Sequence, residues 1–314
     1  MASAQRWGGY PAKFVDTTPA TMNFVQLQGW EMDANVTETP FIPVGLVKPS
    51  QYVTSRVRPE FRIRTRDINT ILGTVDFNTG HCFDNTSTFF VQEREDCGTF
   101  ISDTNQSGRT TENGFMFVES ITADLDSADG AIMTLRYVPL WDGTSADIIA
   151  SPSNLDPVAS VTPLYTSGFF LASPFHNSAE IKGVTSVTLN TGIQIQPAPE
   201  VPGAYDRLVS IVRYEPEFTF RCLKIDEWDS KKFSGFPITS EFAFYFQAID
   251  TTNAVGDGRV ARATASHVKI SCATGKITVR NLSFDGTDDV VSEVTVRPTG
   301  AVTAATATAI PAFV

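Results

Sequence analysis

Three histidines, a cluster of aspartates and a row of arginines are the residues of this chain with chemistry to offer. His81, His176 and His267 stand far apart in 314 residues. No His-Glu-x-x-His, Gly-x-Ser-x-Gly or Gly-rich phosphate loop occurs, so none is placed by a motif to hold a catalytic metal or activate a nucleophile. Each reads as a structural or surface histidine. Asp124, Asp126 and Asp129 could present oxygens to a calcium ion, as could Asp285, Asp288 and Asp289. Neither set continues as an Asp-x-Asp-x-Asp-Gly loop with a distal Glu, and turn or edge carboxylates explain both. Arg62, Arg64 and Arg66 fall at every second position, which in a strand puts three cations on one face. They could contact phosphates; in so acidic a chain, pairing with carboxylates of a neighbouring strand or subunit is the favoured reading. No cofactor or metal is expected.

The elements that must position these residues are strands. Phe61, Ile63 and Thr65 alternate with Arg62, Arg64 and Arg66, and Phe218, Phe220 and Cys222 alternate with Thr219, Arg221 and Leu223. Such period-two stretches have one apolar face. Similar runs recur at Ala131–Val138, Val184–Leu189, Phe242–Gln247 and Lys276–Val279, with Gly, Asn, Asp and Pro between them. Helical signal is confined to Asp67–Leu72, with Asp67 at the N-cap position and Gly73 after it, and to Asp226–Lys232. An all-β fold of short strands in sandwiches or barrels is expected, with one short helix per domain.

The chain repeats itself. Arg56-Val57-Arg58-Pro59-Glu60-Phe61 is answered by Arg213-Tyr214-Glu215-Pro216-Glu217-Phe218, 157 residues on. Phe89-Phe90-Val91-Gln92 is answered by Phe244-Tyr245-Phe246-Gln247 at an offset of 155. A third match sets Thr134-Leu135-Arg136, leading to Asp142-Gly143-Thr144, against Thr278-Val279-Arg280, leading to Asp285-Gly286-Thr287. Three matches in one order point to tandem duplication. The expected organisation is an N-terminal arm at 1–21, a first domain at 22–151, a Pro-rich linker at 152–177, a second domain at 178–298 and a C-terminal arm at 299–314.

Net charge is −11 and the isoelectric point about 4.8, which opposes general binding to nucleic acid backbones. Residues 1–157 hold 11 Lys and Arg against 20 Asp and Glu, a net −9; residues 158–314 hold 13 against 15, a net −2. No apolar signal core and no run long enough to span a bilayer occurs, so neither export by signal peptide nor membrane spanning is expected. Cys82, Cys97, Cys222 and Cys272 contain no Cys-x-x-Cys and read as reduced, mostly buried thiols, with a Cys82–Cys97 bridge as the alternative.

A duplicated, acidic, all-β chain invites comparison with aspartic proteases, in which each lobe gives one Asp to a proton-sharing pair. That chemistry needs Asp-Thr-Gly or Asp-Ser-Gly in each lobe. Here the order is Asp142-Gly143-Thr144 and Asp285-Gly286-Thr287, the ordinary composition of a tight turn. No enzymatic activity is expected.

Each copy resembles the tail tube fold of long-tailed bacteriophages, the β-sandwich or barrel of major tail proteins. The resemblance rests on an opening strand such as Val184–Ile193, a strand containing Arg-x-x-Pro-Glu-Phe, a short Asp-led helix, a Phe-rich strand ending in Gln, and a closing Asp-Gly-Thr hairpin. It implies a virion structural protein, assembled in the host cytoplasm, that forms stacked rings with other tail proteins around a channel through which DNA passes without specific binding. Because such rings hold six domains, a two-domain chain would form a homotrimer. Arg62, Arg64, Arg66, Arg221, Asp124, Asp126 and Asp129 are then candidates for the subunit interface or the lumen. The alternative is a tandem β-sandwich adhesin or carbohydrate-binding module using Trp7, Tyr10, Trp141 and Trp228 as platforms.

Overall fold

Alternation is realised as strand pairing throughout the computed structural model, which describes residues 12–15, 22–24, 26–44, 47–83, 88–92, 108–111, 113–125, 130–144, 148–149, 168–199, 205–223, 235–250, 258–283 and 291–312. The fold is all-β, with antiparallel sheets and one short helix among the described residues. The first series of strands is β1 (Ala12–Val15), β2 (Met22–Phe24), β3 (Leu27–Asp33), β4 (Val36–Phe41), β5 (Gln51–Val57) and β6 (Glu60–Thr65). After helix α1 (Ile68–Leu72) come β7 (His81–Phe83), β8 (Thr88–Gln92), β9 (Gly108–Thr111), β10 (Gly114–Asp124) and β11 (Ile132–Pro139). A connecting strand, β12 (Phe169–Leu171), leads to β13 (Phe175–His176), β14 (Ala179–Glu180), β15 (Val184–Asn190), β16 (Ile193–Ala198), β17 (Leu208–Tyr214) and β18 (Glu217–Cys222). The second series ends with β19 (Phe236–Ile238), β20 (Phe242–Ala248), β21 (His267–Cys272), β22 (Gly275–Ser283) and β23 (Val291–Pro298); a last strand, β24 (Val302–Thr308), follows.

Strand for strand, the second series repeats the first. The order β7-β10-β11-β6-β3 has its counterpart in β19-β22-β23-β18-β15, and β2-β1-β8-β9 has its counterpart in β14-β13-β20-β21. A two-stranded β4-β5 hairpin in one copy matches β16-β17 in the other. Irregularities repeat as well: the register shifts after Leu27, Thr37 and Val118 in copy one and after Val184, Gln194 and Val279 in copy two. The offsets are 157, 157 and 161 residues. β-bulges re-aim a strand at a defined place, so three at matching positions mark common ancestry of the two backbones. The turn after β3 needs a left-handed residue, and it is Asn35 (φ 43°) in copy one and Gly192 (φ 62°) in copy two.

Two of the three sequence matches lie on equivalent strands, β6 with β18 and β8 with β20. The third does not. Thr134–Arg136 belongs to β11, whose counterpart is β23, whereas Thr278–Arg280 belongs to β22. Neighbouring antiparallel strands of one sheet share the same alternation, so a three-residue similarity slipped by one strand. The repeat also begins earlier than position 178, because the pair β13-β14 holds the place of β1-β2. The segment 152–167 and the predicted second helix at Asp226–Lys232 lie outside the described residues.

The two large half-sheets form one ten-stranded sheet in which β10 of copy one pairs with β15 of copy two. The sheet ends at β3 on one side and β19 on the other and does not close among the described residues. Its apolar face packs on the smaller sheets. In copy two Phe218 and Phe220 lie edge-on to Phe244 with centroids 5.6 and 6.0 Å apart. Each such fully buried Phe contributes about 1.5–3 kcal/mol of transfer free energy. β24 extends the second small sheet by pairing with β21, so residues 302–308 form an edge strand of that sheet, anchored by the buried Val302, and not a projecting arm. Asn78 of copy one holds its first residue by donating to the Val302 carbonyl (2.8 Å) and accepting from the Val302 amide (2.8 Å).

Helix α1 starts after Asp67 as its sequence predicts, but Asp67 does not cap it. Its carboxylate accepts instead from the Gln26 amide (2.7 Å) and the Thr65 hydroxyl (2.8 Å). The buried acid ties the start of β3 to the end of β6.

Candidate assembly surface

The face of the ten-stranded sheet opposite the core is polar because β6, β11 and β18 carry their charges at the alternate positions. Arg62 and Arg64 share this face; Arg66 does not, since it follows the last residue of β6 and is partly buried. Arg62 donates two hydrogen bonds of 2.9 Å to Glu119 and one of 3.3 Å to Glu31. Hydrogen bonding to Glu119, and its charge, raise the guanidinium further above its already high ordinary value. Glu119 sits at the bulge of β10, and the bulge aims it back across β11. Arg136 binds Glu60 at 2.7 and 2.6 Å, and Arg297 binds Glu217 at 2.7 Å in copy two. Arg62 therefore pairs with a carboxylate of the neighbouring strand β3 and with one of β10, beyond β11, and it does so within one chain.

Of the other residues singled out from sequence, Asp124 and Arg221 share one cross-sheet row. The row runs Asp124, Ser186, Arg221, Glu293 across β10, β15, β18 and β23. Arg221 stands 157 positions after Arg64; both are exposed and neither has an ion-pair partner among the described residues. The two copies thus keep a cation at this position, as they do at Arg56 and Arg213. Asp126 and Asp129 lie outside the described residues, as do Asp285, Asp288 and Asp289. No group of three or more metal-ligating side chains occurs among the described residues.

The remaining sequence candidates have structural roles. His267 is fully buried, its Nδ1 accepting from the Ala248 amide (3.1 Å) and its Nε2 donating to the Ala261 carbonyl (3.0 Å). His176 packs on Phe242 and His81 on Phe83. Asp142 closes its turn by accepting from the amide (2.8 Å) and hydroxyl (2.7 Å) of Thr144. Trp141 is half-buried beside Tyr205, and Trp7, Tyr10 and Trp228 lie outside the described residues. Cys82, Cys222 and Cys272 are free thiols, Cys82 exposed and the other two buried; Cys97 is outside the described residues.

Sequence reasoning missed the seam between copies, where β10 pairs with β15. Ser120 to Asp124 of β10 pair with Asn190 to Ser186 of β15. On the core side Ile121 faces Leu189 and Ala123 faces Val187, all essentially unexposed. On the polar side the β16-β17 hairpin lies over Phe115 and Phe117 through Ile193, Ile195, Val209 and Tyr214. Asp206, itself buried, accepts from Arg56 at 2.5 Å and Arg58 at 2.6 Å across the copies. Tyr214 donates to Asn78 at 2.6 Å, and burial together with the nearby Asp76 carboxylate pushes its phenol well above the ordinary range. The change from Arg56-x-Arg58 to Arg213-x-Glu215 at the equivalent position is a sequence hint that this region differs between copies.

The β4-β5 hairpin is the counterpart of β16-β17, yet among the described residues no buried apolar cluster comparable to that of Phe115, Phe117 and Ile193 lies under it. Val36, Phe41, Ile42, Val44, Val47 and Tyr52 are all exposed, an apolar surface of the kind that marks an interaction site. Compared with models of known protein families and with curated protein sequences, the chain matches none.

Proposed function

We propose that this protein is a non-enzymatic structural subunit of a self-assembling β-ring of the phage tail tube type. Three chains supply six equivalent sandwich units around a channel through which DNA passes. The observation that carries the reading is the strand-for-strand duplication, with the two units joined edge to edge into one sheet. A joint that unites two copies of a fold inside a chain is a template for uniting copies between chains, and subunits joined head to tail close into rings when the rotation permits. Such closure removes the open sheet edges that would otherwise aggregate.

The reading places the protein in a virion tail, assembled in the host cytoplasm with other tail proteins. It gives the polar face a simple task. Arg62, Arg136 and Arg297 are already held by carboxylates, so a passing phosphate would gain little by displacing them, and the acidic chain as a whole repels a polyanion. The three histidines and Asp142, which could have served an enzyme, are engaged in packing and in a turn, which supports a role without catalysis. Negative-stain electron microscopy and light scattering of the purified protein test the proposal. Rings or tubes with a central opening and a mass of three chains per ring are expected; a compact monomer under every assembly condition contradicts it.

A further inference from the structure

The internal seam predicts the external one. The ten-stranded sheet leaves open edges among the described residues at β3, which pairs only with β6, at β19, which pairs only with β22, and along β22 beyond Ile277, where its pairing with β19 stops. Of these, β3 and β22 are the counterparts of β15 and β10, the two strands that mate within the chain. From this geometry we infer that the free half of β22 pairs antiparallel with β3 of a second copy of this chain, in the register of the internal seam. Shifting Ser120, Ile121 and Thr122 by 161 residues gives Asn281, Leu282 and Ser283. Shifting Asn190, Leu189 and Thr188 back by 157 gives Asp33, Met32 and Glu31. The joint therefore sets Asn281 opposite Asp33, Leu282 opposite Met32 and Ser283 opposite Glu31.

Burial at the free edge fits a missing partner. Leu189 and Val187 are 0% and 1% exposed beneath the seam, whereas their counterparts on β3, Met32 and Trp30, are 37% exposed and half-buried. β3 carries the apolar residues of a covered strand without the cover. The charged contacts of the seam do not recur, however. Where Arg56, Arg58 and Asp206 meet inside the chain, the corresponding positions are Arg213, Glu215 and Pro49, and Arg213 binds Glu215 instead. The external joint thus has the backbone pairing and the apolar pair of the internal one without its buried ion pairs, as suits a contact that forms on assembly and not on folding.

This inference rests on the reading of the chain as a self-assembling subunit and names the strands that do the assembling. It is tested in full-length protein with Cys82→Ser and Cys97→Ser, carrying Met32→Cys and Leu282→Cys together and treated with a short bismaleimide. A control carries Met32→Cys with Pro237→Cys on the opposite outer strand β19. Covalent multimers of the first pair and none of the control are expected. A second variant, Met32→Lys, should retain the native circular dichroism spectrum and lose at least ten-fold in assembly, because a lysine on an edge strand blocks pairing. Rings or tubes that form without cross-linking at this register, or that survive Met32→Lys, overturn the joint and leave the assembly reading standing. Absence of any multimer under all conditions overturns both.

Discussion

Ile121 and Leu189 lie directly opposite each other across the seam at which the two copies meet, and neither is exposed. The pair makes the two repeats one folding unit: apolar side chains of both copies enter a single core cluster. Met32, at the position equivalent to Leu189, has no such cover. Leu189→Ala should therefore destabilise the dispersed protein by about 2–5 kcal/mol, while Met32→Ala should cost under about 1 kcal/mol and act on assembly. Urea unfolding at low protein concentration compares the two; equal losses of stability would remove the distinction between a filled and an unfilled joint.

Charged contacts divide in the same way. Asp206 is buried and holds two arginines from the other copy, so Asp206→Ala strands both guanidinium groups beside the Pro197 carbonyl, which each already contacts. A loss of about 2 kcal/mol or more is expected. Arg62→Ala removes two ion pairs whose members are in contact with water, and should cost under about 1 kcal/mol. Arg64→Ala and Arg221→Ala, which break no ion pair among the described residues, should be neutral within about 0.5 kcal/mol. The ranking is read from midpoints of urea denaturation, and an Arg62 effect as large as that of Asp206 contradicts it.

Acid should loosen the molecule at two identified carboxylates. Burial works against ionised Asp76, but hydrogen bonds from Thr79 and Asn78 hold it below the ordinary carboxylate range; for Glu241 burial is likewise outweighed by hydrogen bonds from Lys269 and Ser271. A folded pKa below the unfolded one adds stability that is complete above the unfolded value of about 4 and is lost as pH falls through the folded value. Asp76→Asn and Glu241→Gln should each flatten the stability profile below pH ~4 and leave its shape above pH ~6 unchanged. An acid limb identical to that of the native protein in both variants would show that these groups are not its source.

The thiols provide a reporter of the core. Burial and the Glu241 carboxylate push Cys272 up to about 12, and Cys222 is buried with its thiol donating to the Lys182 carbonyl at 3.2 Å. Thiolate is the reactive form, so maleimide should label Cys82 in the native protein and reach Cys222 and Cys272 only on unfolding. Peptide mass spectrometry resolves the sites; rapid native labelling of Cys272 contradicts the burial.

How far the sequence spoke for the structure follows from what repeats visibly. Phe61, Ile63 and Thr65 against Phe218, Phe220 and Cys222 announced both the strand type and the duplication, because core-facing positions tolerate few residue types. The bulges at Glu119 and Arg280 were silent, since an extra residue leaves no compositional mark. So was the seam: Asp124 read as a turn or edge carboxylate and Val184–Leu189 as an ordinary alternating strand, and pairing partners so far apart in sequence have no local signal. The ion pairs of Arg62 were half legible, as the row of arginines and the acidic composition implied carboxylate partners without saying which. The C-terminal segment Val302–Thr308 misled, because small residues and Thr suit both a loose tail and a strand at a sheet edge.

Electron cryomicroscopy of the assembled protein tests the central claim most directly. The account predicts closed rings of three chains in which six sheet segments surround one channel, with β10–β15 seams inside chains alternating with β22–β3 joints between them. A map showing open filaments, or contacts between chains through other faces, or only dispersed monomers, contradicts it.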